Sequence, residues 1–456
     1  IDLGYDDVLN DSVLTANISG VTTLNVSNDS ISDLTGIENF TALTNLHCSY
    51  NQLTSLDVSS NTALTFLNCG SNPLDSLDVS SNTALTTLHC FYNQLTSLDV
   101  NSNTALTQLN CGDNQLTSLD VSTNAALSIL HCRTNQLTSL DVSNNTALTV
   151  LDCHYNDLTS LDVSSNTALT ELQCWNTSLT SLDVSSNTAL TSLSCHHNQL
   201  TSLDVSSNTA LTDLHCSSNQ LTNLDVSSNT ALTDLRCSGN QLTSMDVGDN
   251  SGLLILICYS NQLSSLDLNP ELQNLYCNDN QLTSLDVSNT NLNIFNCSSN
   301  QLNYLSIKGL EDQLNSFYAT DNDSLECIET LDPDYATANW TYANGNIDEG
   351  VTFAVYCSLD PPTLDPPTLV INEILAYNNA CCTDANGDYD SYLELYNYGD
   401  EEVDIGGIVI TDDLNNYDQY YQIPSANDST IIQPSGFLLL WADEESEQGV
   451  LHVEIE

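Results

Sequence analysis

Residues 95–115 read LTSLDVNSNTALTQLNCGDNQ. Their apolar positions, Leu95, Leu98, Val100, Leu106, Leu109 and Cys111, are separated by 3, 2, 6, 3 and 2 residues. A separation of two is the period of an extended chain with alternate side chains turned inward. Two short strands are therefore expected in each unit, Ser97 to Val100 and Gln108 to Cys111, joined by corners rich in Asn and Ser, residues that favour turns. No helical period is present. A single unit has nothing against which to bury its inward row, whereas stacked units bury a continuous one. The expected fold is mainly β: a right-handed solenoid of about fourteen coils with parallel in-register strands, one coil every ~4.8 Å, spanning ~65–70 Å.

The unit recurs along most of the chain. Cys48, Cys69, Cys90, Cys111, Cys132, Cys153, Cys174, Cys195, Cys216, Cys237 and Cys258 stand 21 residues apart, and Cys277 and Cys297 follow at spacings of 19 and 20. In stacked strands neighbouring Cβ atoms lie near the coil spacing of ~4.8 Å, beyond the ~3.5–4.5 Å that a disulfide needs. Free cysteine packs as a small apolar side chain. All thirteen are therefore expected to be buried thiols.

The run L-x-x-L-x-C-x-x-N-x-L, as in Leu106 to Leu116, resembles the leucine-rich repeat with Cys in place of the third Leu. The resemblance implies that Asn72, Asn93, Asn114, Asn135, Asn156 and their equivalents point inward and bond neighbouring backbones as a ladder, as a buried amide requires. The pattern lapses at Trp175-Asn176-Thr177-Ser178, where a bent corner is expected. Cys327 and Cys357 lie outside the repeat and are expected to pair, stapling a polar cap over the apolar end of the stack. The segment LECIETLDPDYATANWTYANGNIDEGVTFAVYC, residues 325–357, resembles the C-terminal cap of secreted leucine-rich repeat proteins on the surfaces of Bacteroidota-type bacteria. Residues 1–41 resemble the N-terminal cap of the same proteins with a degenerate first repeat, entered partway. The expected division is a solenoid over 42–318, a stapled cap over 319–358 and a proline-rich linker, LDPPTLDPP, within 359–368.

Residues 369–456 alternate apolar runs with Gly, Asn and Asp turns, as a small β-sandwich does. VINEILAYN, DYDSYLELYNYG, VDIGGIVITDD, YYQIP and GFLLLWAD, in that order, resemble the lamin-tail domain, which is immunoglobulin-like. The family pattern continues beyond this point, so the domain is expected to be truncated at Glu456. Asp384, Asn386, Asp388, Asp390 and Glu394 place oxygen ligands at alternate positions, as a calcium loop does. Tyr389 stands where such a loop needs glycine, so an acidic hairpin turn is the stronger expectation and Ca²⁺ the alternative. The state of Cys381 and Cys382 is open.

The chain has 60 acidic and 3 basic residues in 456, a net charge of −57. Only Arg133, Arg236 and Lys308 are there to meet phosphate, which argues against nucleic acid or an anionic membrane surface as partner. No apolar run approaches the ~18 residues of a membrane span, so no membrane insertion is expected. Asp57, Asp78, Asp99 and their equivalents form a column on the first strand, where like charges ~4.8 Å apart need relief from salt, cations, raised pKa values or hydrogen bonds to Ser and Thr.

Variety is concentrated beside the cysteines, on outward positions that packing does not dictate. Phe91, Tyr92, His131, Arg133, His154, Tyr155, Glu171, Trp175, His196 and His197 crowd the third to eighth cysteine repeats, and such amphipathic rings stack on sugars or anchor proteins. His131, Asp152 and His154 have ligand types that suit zinc or copper, but same-column histidines two coils apart are ~9.6 Å from each other. No catalytic constellation or phosphate loop is present, so neither an enzyme nor a cofactor beyond possible Ca²⁺ is expected. The resemblance implies a protein secreted to a bacterial surface by type IX export, binding an extracellular protein or glycan. The alternative is a structural spacer or a subunit of a surface coat or filament, with assembly partners and no soluble ligand.

Overall fold

The computed structural model describes residues 14–357 continuously and, beyond them, strands between 369 and 453. The chain forms two compact units, 1–357 and 358–456. In the first, fifteen three-residue strands from Thr23–Asn25 to Ser316–Tyr318 make one parallel sheet. Through the regular coils, partners are 21 residues apart, as in Leu88 with Leu109. Each strand is short because only its central residue is inward: Leu109 is buried while Gln108 and Asn110 stay half-exposed. The count exceeds fourteen coils because Thr23–Asn25 and Ser316–Tyr318 pair onto the two ends.

All thirteen repeat cysteines are free and buried. Their column lies next to the leucine column, so the core is one continuous apolar strip through the stack. Burial pushes the Cys48, Cys111 and Cys195 thiols up to about 12, which removes the reactive thiolate at neutral pH.

Two asparagine ladders tie the coils. In the expected one, Asn72 Nδ2 donates to the Cys48 and Cys69 carbonyls, both at 3.0 Å, and Oδ1 accepts from the Leu53 N–H at 3.0 Å. At the irregular corner the expected bend is absent. Asn176 takes the left-handed position at φ 50°, Thr177 takes the ladder position with Oγ1 donating to the Cys174 carbonyl at 3.0 Å, and the adjoining strands keep register. The second ladder comes from the Ser-Asn-Thr corners: Asn82 is fully buried and donates to the Val58 and Asn61 carbonyls, both at 2.9 Å.

The first of the two expected strands is mostly not one. Ser97 to Val100 is extended without a ladder, as are its equivalents up to the coil of Ser244–Asp246, apart from one bridge between Asp57 and Asp78. Asp57 Oδ1 accepts the Ser59 N–H at 2.9 Å, and the same bond recurs at Asp78, Asp99, Asp120 and onward, including Asp246 and Asp286 in coils that do form a ladder. The Ser59 hydroxyl and N–H hold the Asp57 carboxyl below its ordinary value, so relief comes from hydrogen bonding and not from a raised pKa.

At the C-terminal end the stack closes on the helix Pro333–Asn339, with Asp332 as N-cap accepting the Tyr335 N–H at 2.9 Å. Buried Trp340 packs edge-on to Phe317 at 5.1 Å, covering the last core layer. Cys327 and Cys357 are joined by a disulfide with a Cα–Cα distance of 5.6 Å. In the second unit Leu369–Leu375, Ser391–Asn397, Phe437–Ala442 and His452–Val453 form a four-stranded sheet, and two two-stranded ladders pair Val403–Asp404 with Ile431–Ile432 and Val409–Ile410 with Tyr421–Gln422. Asn397 is buried and donates to the Ile432 carbonyl at 2.9 Å. Asp384, Asn386, Asp388 and Asp390, and Cys381 and Cys382, lie outside the described residues. Glu394 falls on the strand Ser391–Asn397.

Candidate functional site

The strand face is built from the residues on either side of each inward Leu and the two that follow each Cys. The second of these has positive φ coil after coil, at 56° for Tyr50 and 50° for both Tyr92 and Tyr155. That backbone costs a non-glycine residue of order 1 kcal/mol or more. It also throws the side chain outward, and these three tyrosines are about half exposed.

Two glycines show that the face is fitted between coils. A Cβ on Gly70 would lie 2.6–2.8 Å from three atoms of the Phe91 ring, and one on Gly112 would lie 3.0 Å from Arg133 Cγ. Each glycine makes the bed for the large side chain of the following coil. Around Phe91 a first cluster forms: His47 lies 4.5 Å from Phe66, Phe66 5.7 Å from His89, and Phe91 6.1 Å from Tyr92.

Arg133 then crosses between two coils. Its Nε donates to Asp113 Oδ2 and its Nη1 to Asp152 Oδ2, both at 3.3 Å. Asp152, 3% exposed, also meets His131 Nδ1 at 3.4 Å and hydrogen-bonds His154 Nδ1. Burial opposes its ionisation, but the adjoining His131 and His154 imidazoles outweigh burial and hold the carboxyl well below the carboxylate range. Asp152 is an anion held against two imidazoles and a guanidinium. Among the described residues no three His, Cys, Asp or Glu side chains are grouped to hold an ion.

Beyond Asp152 the rings become a ladder. His154 stacks on Trp175 at 4.1 Å and 11°, Trp175 on His196 at 4.7 Å and 13°, and His196 on His215 at 3.7 Å and 12°. Tyr155 meets Trp175 edge-on at 4.6 Å, and His197 meets His196 edge-on at 5.3 Å. Burial, followed by the neighbouring His215, lowers His196 to about 3. Burial, followed by Arg236, lowers His215 to about 4. Both are neutral at physiological pH. Because the two inner rings, Trp175 and His196, have a neighbour on each face, the surface they offer is ring edge. The flat stacking platform expected for sugars is occupied by the rings themselves.

Of the candidate residues, His154, Tyr155, Trp175, His196 and His197 form this ladder, His131 and Arg133 join it through Asp152, and Phe91 and Tyr92 sit in the first cluster. Glu171 stands on the strand Glu171–Gln173, just before Trp175, and bonds Gln173. His47, Tyr50, Phe66, His89 and His215 belong to the same surface and were not among the candidates. Their columns are visible in the repeat, but the tilt that brings His215 beneath His196 is not.

No family model matches the chain. A stretch of 51 residues, 11% of this chain, is 45% identical to internalin J of Listeria monocytogenes and spans only 6% of that protein. The solved functional domain of InlJ from Listeria monocytogenes, described as including a cysteine ladder, is 39% identical with a TM-score of 0.62 over 70% of this chain and 76% of that one. A leucine-rich repeat protein of Leptospira interrogans shares the fold at 24% identity and a TM-score of 0.59, over 69% of this chain and 91% of that one.

Proposed function

The chain belongs to the leucine-rich repeat proteins that carry a cysteine ladder, and on that premise we propose that its strand face binds an extracellular protein. The observation that carries this is the fitting of Gly70 under Phe91 and Gly112 under Arg133. Drift on a duplicated scaffold would vary coils independently, whereas here the small residue of one coil makes room for the large residue of the next. The rings lie in a few adjacent coils, as interface anchors do, while LTSLDVSSNTALT recurs elsewhere almost unchanged. A protein partner is favoured over a glycan because the inner ladder rings present edges. The disulfide Cys327–Cys357 supports an oxidising setting such as the outside of a bacterial cell. Among the described residues no helix is long and apolar enough to cross a membrane. Attachment by way of a lamin-tail-like second unit belongs to the same proposal.

The experiment compares the wild-type chain with the triple variant Phe91→Ala, Tyr155→Ala, Trp175→Ala on arrays of matrix proteins and glycans. Protein spots that retain the wild type and lose the variant by tenfold or more are the expected result. Identical patterns for the two chains would instead favour the spacer.

A further inference from the structure

The N-terminal part of the strand face repeats every second coil. His47-Cys48-Ser49-Tyr50 and His89-Cys90-Phe91-Tyr92 alternate with Asn68-Cys69-Gly70 and Asn110-Cys111-Gly112. Tyr50 and Tyr92 hold the same left-handed position two coils apart, or ~9.6 Å. They are 59% and 57% exposed. On the coil between them the same position is held by Ser71, which is small. The Phe91 ring, seated over Gly70, lies 6.5 Å from the Tyr50 ring at 68° and 6.1 Å from the Tyr92 ring at 79°. Three rings thus line one strip along the stack. Asn68 and Asn110 accept the Gly70 and Gly112 N–H groups on Oδ1, both at 3.2 Å, so the amide group left to a ligand is the Nδ2 donor. Residues 45–50, 66–71 and 87–92 contain no Asp, Glu, Lys or Arg, in a chain of charge −57. The Asp113 carboxylate on the next coil is engaged by Arg133.

A polyproline II helix complements such a strip. It rises ~3.1 Å per residue with three residues per turn, so residues i and i+3 share one edge at ~9.3 Å, close to the two-coil repeat. Proline has no N–H, so the segment offers carbonyl acceptors. Its conformation is set before binding, which lowers the cost of ordering it on aromatic rings. A sugar would also cover tyrosine rings, but its hydroxyls call for acceptors beside donors, and the two amide oxygens are already spent.

We propose that Tyr50, Phe91 and Tyr92 receive a proline-rich segment of the protein partner in the polyproline II conformation. It runs along the stack with residues i and i+3 against the two tyrosines and carbonyls towards Asn68 and Asn110. This rests on the strand face being a protein-binding surface and adds the chemistry of what binds at its N-terminal part.

Random peptides displayed on phage are selected on the full wild-type chain at physiological salt from two pools. One carries a fixed Pro-x-x-Pro core and the other Ala-x-x-Ala. Every other position is drawn from uncharged residues, so the general attraction of an acidic chain plays no part. Recovered peptides are measured against Tyr50→Ser, Tyr92→Ser, which the fold accepts because Ser71, Ser218 and Ser299 hold the same backbone position. They are also measured against Trp175→Ala in the ring ladder. The expected peptides come from the proline pool, bind the tyrosine variant at least tenfold more weakly, and bind Trp175→Ala as they bind wild type. They lose as much when their two core prolines become alanine. Alanine-pool peptides of equal affinity and equal dependence on the tyrosines overturn the inference, because a preset conformation is then not what is recognised. Neutral glycans on an array that need the tyrosines, with no proline peptide that does, overturn it in favour of a sugar site. Peptides that need only Trp175 overturn it and leave the binding face standing. If neither variant weakens any peptide, the binding face falls as well.

Discussion

Gly70 has nothing unusual in its backbone, and its function is to be absent as a side chain. Gly70→Ala places a methyl within 2.8 Å of Phe91 ring atoms. The ring is a side-chain end near the surface and swings away, so thermal stability should change by less than about 1 kcal/mol. Binding that uses Phe91 should fall, and calorimetry beside an array measurement separates the two effects. The ring ladder makes a second prediction. Unfolded imidazoles take up protons near pH 6.5, whereas folded His215 resists to about 4 and folded His196 to about 3. Between those limits the unfolded chain holds more protons, so stability falls as pH drops from 6.5 towards 4 and is unaffected above 7. Melting temperatures at pH 7 and pH 5 should show a smaller drop in His196→Gln, His215→Gln than in the wild type. An equal drop would mean that the ladder imidazoles protonate freely. The candidate rings were legible as a column pattern because each coil repeats its geometry. Their stacking was not, because it depends on side-chain tilt between coils.

At the scale of one coil, the inward leucines and cysteines were readable from spacing, and the first asparagine ladder from the resemblance to the leucine-rich repeat. The strand expected at Ser97 to Val100 failed because alternation reports which side chains are inward, not whether the backbone is laddered. The second ladder was hidden by the same residue chemistry that makes turns, since a Ser-Asn-Thr corner reads alike whether its Asn is wet or buried. Asn166 donates to the Val142 and Asn145 carbonyls at 3.0 and 2.9 Å, while its own Oδ1 accepts from no protein group. Asn166→Leu removes one of two donors from each of two buried carbonyls, which keep the Asn145 and Leu148 N–H groups, and also removes an unmatched acceptor. The net cost should be about 1–3 kcal/mol, read by chemical denaturation. A cost near zero would show that the second ladder is ornament.

The whole stack has two ends, and the C-terminal one is held by a short cap. Replacing Cys327 and Cys357 with Ser should lower stability by about 2–5 kcal/mol. Hydrogen exchange should then accelerate first in Pro333–Asn339 and the last strands, since each coil rests only on its neighbours. The claim on which strand face, ladders and cap all depend is that one column of thirteen free thiols runs buried through the stack. Peptide-resolved alkylation of the native chain with N-ethylmaleimide measures it directly, before and after guanidinium. The fold requires that Cys48 to Cys297 stay unmodified in the native chain and all thirteen react once it is unfolded. Native labelling along the column, or thiols found already bridged in pairs, would contradict it.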